Sequence, residues 1–316
     1  MSAAKRRAAE GGTAYSLVIP TLGRRPTLRA CLDSVARQTR PPAEVIVALP
    51  PEVQVPTDPR ARIVHAPVAS TSAQRNAGAR AAISPVVFFV DDDIELEPDC
   101  AEELMAVWER RGVETISGVA ATCMNDYAFP PGSVWRRVLL AAGGLGHGAV
   151  LARRSRLMKS GAVASVRRPA REVEVDFAIG ACVSYRRDAL LGEPFEEAFT
   201  GYVFSEDADL AARMIRHAPL VQTPRARVWH ADVEPGLGTG AIAAYRRARM
   251  VAFFRGRHRA PGVLGRLAWE WANVAECAIL IGKGLRSRDL SPLRGYLRGL
   301  RETRSHLRAD AARSEG

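Results

Sequence analysis

The sequence has few of the features that mark secreted, zinc-binding or membrane-spanning proteins. Its 316 residues include five cysteines, which are odd in number, widely spaced and form no CxxC pair. This usage argues against a disulfide framework or a zinc site, and it favours a reducing cytoplasm. No stretch of about 18 uncharged apolar residues occurs, so a membrane-spanning helix is not expected. Residues 1–13 are basic but lack the apolar segment of a signal peptide, and we predict a short disordered leader.

Apolar runs alternate with helical patterns through the first third of the chain. Right-handed βαβ units and a largely parallel α/β sheet are therefore expected. In the helix that begins near Pro26, the apolar residues recur at i, i+3, i+4 and i+7 and predict the buried face: Leu28, Cys31, Leu32 and Val35. The predicted strands are 16–20, 44–49, 62–65 and 86–90, and the predicted helices are 26–39 and 71–82.

The middle of the chain is less regular. A helix over 99–111 and a strand over 113–123 are predicted, followed by an irregular segment from 125 to 170 that is rich in glycine and arginine. Order is expected to resume with VDFAIGACVSYRRDAL. Ser205 is the predicted N-cap of a further helix, and a final short strand covers 225–230.

Three consecutive carboxylates follow the apolar run 86–90. Asp91, Asp92 and Asp93 would lie at the carboxyl end of a buried strand, where open α/β sheets bind their ligands. Because adjacent carboxylates repel one another, such a triplet usually needs a cation, and hard oxygen ligands suit Mg²⁺ or Mn²⁺. A solvated acidic turn is the alternative, and the triplet alone does not decide between the two.

Six further residues are ambiguous when each is taken alone. Glu206, Asp207 and Asp209 lie in the first turn of a predicted helix, where the helix dipole favours negative charge. The alternative is that this group supplies a catalytic base near the edge of the sheet. His230 ends a predicted strand and is either structural or part of a metal site at Asp93. Arg75 with Asn76 faces either a diphosphate or solvent.

The order of these segments resembles that of a known family. SLVIPTLGRRPTLRACLDSVARQT, QRNAG, VDDD, VDFAIGACVSYRRDAL, FEEAF, SEDADLAAR and ARVWH resemble, in sequence, the motifs of family 2 inverting glycosyltransferases, and the second half is similar to rhamnosyltransferase-like members. The resemblance implies a GT-A fold, a mixed and mostly parallel sheet flanked by helices. The expected domains are residues 14–235 and a basic helical C-terminal extension over 236–316.

The resemblance also assigns roles to individual residues. Donor binding falls to Pro20, Thr21, Arg24, Arg75, Asn76, Asp91 and Asp92. Asp93 would hold Mg²⁺ or Mn²⁺ on the donor diphosphate, and His230 would join that metal shell. Asp207 would be the general base for the acceptor hydroxyl, and Glu206 would orient the base or the acceptor.

One segment departs from the family pattern. Members often end the second strand with acidic residues that contact the nucleotide base, whereas this chain has EVIVALPPE, with Ala48 and Leu49 at that place. Glu52 is a weak substitute. A UDP- or dTDP-sugar is the expected donor.

Positive charge is concentrated in the C-terminal part of the chain. Residues 245–316 contain 16 Lys or Arg against 6 Asp or Glu, whereas the remainder holds 29 against 28. One stripe of a predicted helix collects Leu264, Leu267, Trp271, Val274, Ala278 and Ile281. The stripe predicts either a core-packing helix or an interfacial helix on an anionic membrane, placing the protein on the inner face of the cell membrane. No nucleic-acid-binding module accompanies the charge, so a nucleic-acid partner is not expected.

The function expected from the sequence is metal-dependent transfer of a sugar to the hydroxyl of a lipid-linked glycan or a natural product. The alternative from another class is a non-catalytic protein of the same fold that binds a nucleotide-sugar or docks on a membrane. A nucleotidyltransferase is a more distant alternative, because VIPTLGRR lacks the glycine-rich, lysine-containing loop of those enzymes.

Overall fold

The computed structural model describes residues 12–23, 25–56, 58–125, 154–164, 168–178, 180–198, 205–231 and 240–314. Most of the predicted leader and most of the predicted irregular segment lie outside these ranges. The chain divides into two compact units, Met1–Ala128 with Val166–Val233, and Phe129–Ser165 with Glu234–Gly316. The domain boundaries expected from the sequence, 14–235 and 236–316, stay predictions.

The described residues form eleven strands and eight helices. In chain order the strands are β1 (Tyr15–Pro20), β2 (Glu44–Leu49), β3 (Arg62–His65), β4 (Val86–Val90), β5 (Ile94–Leu96), β6 (Gly118–Cys123), β7 (Arg156–Leu157), β8 (Val163–Ala164), β9 (Val173–Val175), β10 (Cys182–Arg186) and β11 (Leu220–His230). The helices are α1 (Arg25–Ala36), α2 (Thr71–Ala81), α3 (Cys100–Arg111), α4 (Arg187–Gly192), α5 (Glu206–Met214), α6 (Gly240–His258), α7 (Gly262–Ser287) and α8 (Ser291–Ser314).

A mixed sheet forms the centre of the first unit. Its strand order is β3-β2-β1-β4-β10-β6-β11-β5, and β9 also pairs with β11. The four strands β3, β2, β1 and β4 are parallel to one another, whereas β10 runs antiparallel to both β4 and β6. Every side chain of β4 is buried, as an uninterrupted apolar run predicts for a central strand. The predicted α/β fold, mostly parallel and flanked by helices, is confirmed.

The predicted apolar face of α1 is also confirmed. Leu28, Cys31, Leu32 and Val35 are all buried and belong to the core cluster under the sheet. The cluster also contains β4 residues and the side chain of Trp108 from α3. The helical periodicity of the sequence therefore placed this face correctly.

One short strand was not predicted, and the starts of β6 and β11 differ from the sequence-based predictions. Part of IELEPD forms β5, a short edge strand that pairs with β11, rather than a solvated turn. Strand β6 begins at Gly118 because residues 113–115 form a turn after Gly112, whose φ is 90°. Strand β11 begins at Leu220, before Pro224. Its register shifts between Gln222 and Arg227, because proline lacks the N–H that a regular ladder needs.

The second unit contains the predicted helical extension. Helices α6, α7 and α8 pack around Ala248, Ala252, Trp269, Tyr296 and Leu300. Among the described residues, none of these or the other helices is long and apolar enough to cross a membrane.

Gly78 of the QRNAG segment lets α2 approach the sheet closely. A Cβ at this position would overlap Val18 Cγ1 of β1, and Val18 is fully buried. We expect Gly78→Ala to lower the free energy of unfolding by about 1–3 kcal/mol, because overpacking forces the helix away from the strand. Urea denaturation measures the change.

Gly192→Ala is the matched control, since a Cβ there meets no atom within 4 Å. Its effect should stay within about 0.5 kcal/mol. Equal denaturation midpoints for the two variants would contradict the close packing of α2 on β1.

Candidate functional site

The ends of β1 and β4 meet at the carboxyl edge of the sheet. Because the two strands are parallel neighbours, Thr21 comes beside the aspartate triplet. The Thr21 hydroxyl donates a hydrogen bond to the Asp92 carboxylate, and Asp92 is only 2% exposed. The Gln74 amide of α2 donates to the carbonyls of Thr21 and Ala48, at 2.7 Å each. This edge is therefore held by side chains as well as by the strand ladder.

Arg75 connects the triplet to the start of α5. Its Nη2 lies 2.8 Å from Asp91 Oδ1, and its Nη1 lies 2.5 Å from Glu206 Oε1. The arginine side chain is 3% exposed, and its guanidinium carbon lies 5.4 Å from the centre of the Phe195 ring. The structure thus gives Arg75 two protein carboxylates as partners, rather than an open position facing a diphosphate. A donor contact by Arg75 stays a prediction.

Asp207 lies next to Glu206 and is held by backbone groups. Its Oδ2 accepts a hydrogen bond from Gly180 N at 3.0 Å, and its Oδ1 accepts one from Ala208 N at 2.8 Å. Ala181, which follows Gly180, accepts a hydrogen bond from the Asp91 backbone N–H at its carbonyl oxygen, and the two atoms are 3.0 Å apart. Consecutive residues of one loop therefore position both Asp207 and Asp91. A Cβ on Gly180 would come within 2.9 Å of Asp207 Cβ, so this approach requires glycine.

The backbone turns sharply where α5 begins. Ser205 occupies the predicted N-cap position, but it has a left-handed φ of 73° and its side chain makes no capping hydrogen bond. Non-glycine residues in this region carry strain of about 1–3 kcal/mol. Glu206 and Asp207 follow in the first helical turn, where the helix dipole favours negative charge.

The two acidic residues of α5 have perturbed pKa values. Burial raises the pKa of Glu206 to about 7, and the nearby Asp207 charge raises it as well, whereas Arg75 lowers it. Burial also raises the pKa of Asp207, against the lowering effects of the Gly180 N–H and of Arg75. Glu206 is 6% exposed, whereas Asp207 keeps a partly accessible surface. A carboxylate of raised pKa can accept a proton near neutral pH.

Asp93 and His230 form a second pair at the same edge. Asp93 Oδ1 and His230 Nε2 are 3.6 Å apart, with side chains 11% and 31% exposed. Asn125 fixes the histidine backbone: its Oδ1 accepts from His230 N and its Nδ2 donates to His230 O, both at 2.7 Å. Two ligand atoms at this separation can both reach one ion at about 2.1 Å, so a carboxylate and an imidazole here fit a divalent cation. In the described part of the chain, no group of three or more such side chains gathers into a metal site.

The remaining predicted site residues lie in different surroundings. Pro20 is buried at the end of β1, and Glu52 is exposed in the turn after β2. Arg24 lies outside the described residues. Asn76 Nδ2 donates to Phe195 O at 2.9 Å and to Glu197 Oε1 at 2.7 Å, and its Oδ1 accepts from Phe195 N at 2.9 Å. These bonds fasten α2 to the FEEAF segment, and the predicted donor contact of Asn76 stays a prediction.

Four residues of the site were missed in the sequence: Gln74, Asn125, Gly180 and Ala181. Gln74, Gly180 and Ala181 lie inside the segments QRNAG and VDFAIGACVSYRRDAL, so their position in these motifs was the available signal. Asn125 acts through a residue 105 positions away, and no local pattern indicates such a contact.

We predict that Arg75→Gln lowers the free energy of unfolding by about 3–5 kcal/mol at neutral pH, because Asp91 and Glu206 would lose a buried cation. The deficit should shrink as the pH falls, since protonation then removes the two uncompensated charges. Urea denaturation at several pH values measures both effects.

Arg80→Gln is the control, because Arg80 is an exposed residue on the same helix. We expect it to change stability by less than about 0.5 kcal/mol. A deficit for Arg75→Gln that does not depend on pH would show that lost packing, not lost charge, is responsible.

Comparison with solved structures shows the same fold in proteins of low sequence identity. Residues 1–349 of S. aureus TarS, solved with UDP-GlcNAc, are 12% identical with a TM-score of 0.55, covering 92% of this chain and 80% of that one. GalNAc-T7, solved with UDP, GalNAc and Mn²⁺, is 13% identical with a TM-score of 0.51, covering 84% and 55%. A mycobacterial protein is 17% identical with a TM-score of 0.50, covering 83% and 80%.

The chain spans 43% of a longer TarS chain and 55% of GalNAc-T7. No curated protein matches the sequence. Residues 52–191 match the family described as glycosyl transferase family 2. That match includes α2, the aspartate triplet and β10, three of the segments that build the site. Over residues 52–191 the chain is therefore similar to glycosyl transferase family 2, and its fold is the GT-A fold that it shares with TarS and GalNAc-T7.

Proposed function

We propose that this domain transfers a sugar from a nucleoside-diphosphate sugar to an acceptor hydroxyl, with inversion at the anomeric carbon. One observation carries the proposal. The buried Arg75 joins Asp91, at the end of β4, to Glu206, at the start of α5, and so brings the two acidic motifs into one cluster. A solvated acidic turn at the triplet would not need a buried guanidinium.

Asp207 is the proposed general base. Glu206 is engaged by Arg75 and is nearly buried, so its carboxylate is poorly placed to meet an acceptor. Asp207 is partly exposed, and its oxygens are held by neutral backbone N–H groups. It can therefore take the proton of an attacking hydroxyl, while Glu206 keeps the start of α5 in position. Attack from the face opposite the leaving group would invert the anomeric centre.

The donor is proposed to lie along the edge formed by β1 and β4. Thr21, Asp91 and Asp92 are already positioned there by hydrogen bonds within the protein. Two solved relatives in fold contain UDP or UDP-GlcNAc, which supports a UDP-sugar over the dTDP-sugar alternative. Because β2 ends in Ala48 and Leu49, the contact with the nucleotide base is proposed to come from residues outside this strand.

Asp93 and His230 are proposed to hold Mg²⁺ or Mn²⁺ on the donor diphosphate. Such an ion neutralises the charge that develops on the departing nucleoside diphosphate. The presence of Mn²⁺ with GalNAc-T7 supports this assignment. Two protein ligands suit an ion that takes its remaining ligands from phosphate and water.

The acceptor and the surroundings of the protein are also proposals. A lipid-linked glycan or a natural product is the proposed acceptor, and the basic C-terminal part of the chain would suit a lipid-linked one. The cysteine usage favours a cytoplasmic location. The rival is a non-catalytic protein of the same fold that binds a nucleotide-sugar without transferring it. Asp207 separates the two, because a binding protein has no need of a base.

We expect Asp207→Asn to lower kcat by about 10²–10⁴-fold while leaving the KM for donor nearly unchanged, because the variant loses only a base. Release of nucleoside diphosphate from a panel of UDP- and dTDP-sugars, with water as acceptor, measures the rate. Since the base must be deprotonated and burial raises its pKa, wild-type activity should rise with pH above the usual aspartate value of 3.8. The variant should lose this rise.

Asp188→Asn serves as control, since Asp188 is an exposed acidic residue in the first turn of α4. Unchanged turnover in Asp207→Asn would remove the assigned base. Donor binding without any turnover in the wild type would favour the non-catalytic rival.

We predict that Asp93→Asn and His230→Ala each weaken Mn²⁺ binding at least about tenfold in the presence of UDP, because each removes one ligand. Quenching of the free Mn²⁺ electron paramagnetic resonance signal measures binding independently of activity. His217→Ala is the histidine control, because His217 is paired with Glu193 instead. Wild-type-like Mn²⁺ binding in both variants would refute the assigned ligands.

A further inference from the structure

Helix α7 has two apolar faces, and one of them is exposed. The buried face includes Trp269 and Ala272, which pack with α6 and α8. The opposite face, which we name the α7 stripe, consists of Leu264, Leu267, Trp271, Val274, Ala278, Ile281 and Leu285. Apart from Ala278, its members are between 43% and 71% exposed. The sequence left a core-packing role open for most of these residues, and the structure shows a different face in the core.

The α7 stripe is continuous along the helix. Its members follow one another at alternating intervals of three and four residues, from Leu264 to Leu285, which corresponds to about 32 Å of helix. Isolated exposed leucines are common in folded proteins, but a contiguous row of this length marks a contact surface. Trp271, near the middle of the row, is 56% exposed, and tryptophan is enriched where apolar and polar phases meet.

The charges of the same helical unit favour an anionic partner. Two of its acidic side chains are engaged within the unit: Glu302 contacts Tyr245 and Arg249, and Glu270 pairs with Arg304. Several basic side chains of the unit are exposed: Arg246, Lys283, Arg286, Arg288, Arg294 and Arg301. Arg266 and Arg286, both exposed, lie about 100° from the centre of the α7 stripe on opposite sides of the helix.

We propose that the α7 stripe docks on the surface of an anionic lipid bilayer, with α7 lying parallel to the membrane plane. The apolar side chains enter the boundary between headgroups and acyl chains, about 5–10 Å deep. Arg266 and Arg286 flank the stripe at the level of the lipid phosphates, where long cationic side chains extend to the headgroups. This inference concerns the second unit alone and does not depend on the proposed sugar transfer.

A second copy of the chain fits the stripe less well. The intervals of three and four residues match a coiled-coil seam, in which flanking positions usually carry charges that select the partner. On α7 one of those flanking positions is charged, Glu270, and it pairs with Arg304 of α8. The others are Val263, Ala268, Ala275, Cys277, Gly282 and Gly284. In addition, two copies would bring together units that each carry a large excess of positive charge.

Vesicle sedimentation tests the proposal. The full chain is mixed with phosphatidylcholine vesicles that contain either no anionic lipid or about 30 mol% phosphatidylglycerol. We expect binding to the anionic vesicles, and we expect it to weaken as NaCl is raised from about 0.1 M to about 1 M, where the Debye length falls from about 10 Å to about 3 Å. The double variant Leu267→Gln with Trp271→Gln should bind at least about tenfold more weakly.

Two further variants test whether binding requires the α7 stripe and its flanking arginines, rather than any exposed apolar residue of the chain. Ile83→Gln removes an apolar side chain of the first unit that is 74% exposed, and it should bind like the wild type. The pair Arg266→Gln with Arg286→Gln should weaken binding to the anionic vesicles only. Circular dichroism checks that each variant keeps its helices, and release of nucleoside diphosphate in detergent-free buffer checks the first unit separately.

Three outcomes would overturn the proposal. The first is equal binding to neutral and anionic vesicles, and the second is unchanged binding of the Leu267→Gln, Trp271→Gln variant. The third is a stable dimer in light scattering that this variant dissociates, without vesicle binding by the wild type, which would assign the stripe to a second copy.

Discussion

The buried guanidinium of Arg75 holds together segments that are far apart in the chain. It contacts Asp91 after β4 and Glu206 at the start of α5, and it rests against the Phe195 ring. Removing a charge from water is costly unless the charge is paired, so each partner requires the others in place. The ion cluster therefore connects the end of β4 to the first turn of α5, next to the loop at Gly180 that holds Asp207.

The cluster divides its acidic residues into two groups. The carboxylates of Asp91 and Glu206 bind Arg75, and that of Asp92 accepts a hydrogen bond from Thr21. At the same edge, Asp207 accepts hydrogen bonds from the Gly180 and Ala208 N–H groups, and Asp93 lies 3.6 Å from His230. Side chains that are held in place by hydrogen bonds before a substrate binds lose little conformational entropy on binding. This arrangement is consistent with a base and a cation site that are set before the donor binds.

The C-terminal unit is held together by close helix packing rather than by an ion cluster. Small residues and Trp269 let α6, α7 and α8 pack closely, and a buried chain of hydrogen bonds links Tyr296, Asn273 and the Trp269 carbonyl. This packing needs only one face of α7. The other face of α7 carries a row of exposed apolar residues, and this exposure is the basis of the proposed contact with a lipid surface.

Much of the architecture was predictable from local pattern. Strands β2, β3 and β4 begin and end where their apolar runs do, and the buried face of α1 follows from spacing alone, because short-range periodicity reflects burial directly. The order of the motifs likewise indicated the similarity to family 2 glycosyltransferases that the match over residues 52–191 shows. The partners of Arg75 and Asn76, the left-handed Ser205, the edge strand β5 and the exposed side of α7 were decided by the tertiary structure. Each of these depends on residues distant in sequence, whose positions exist only once the sheet has assembled.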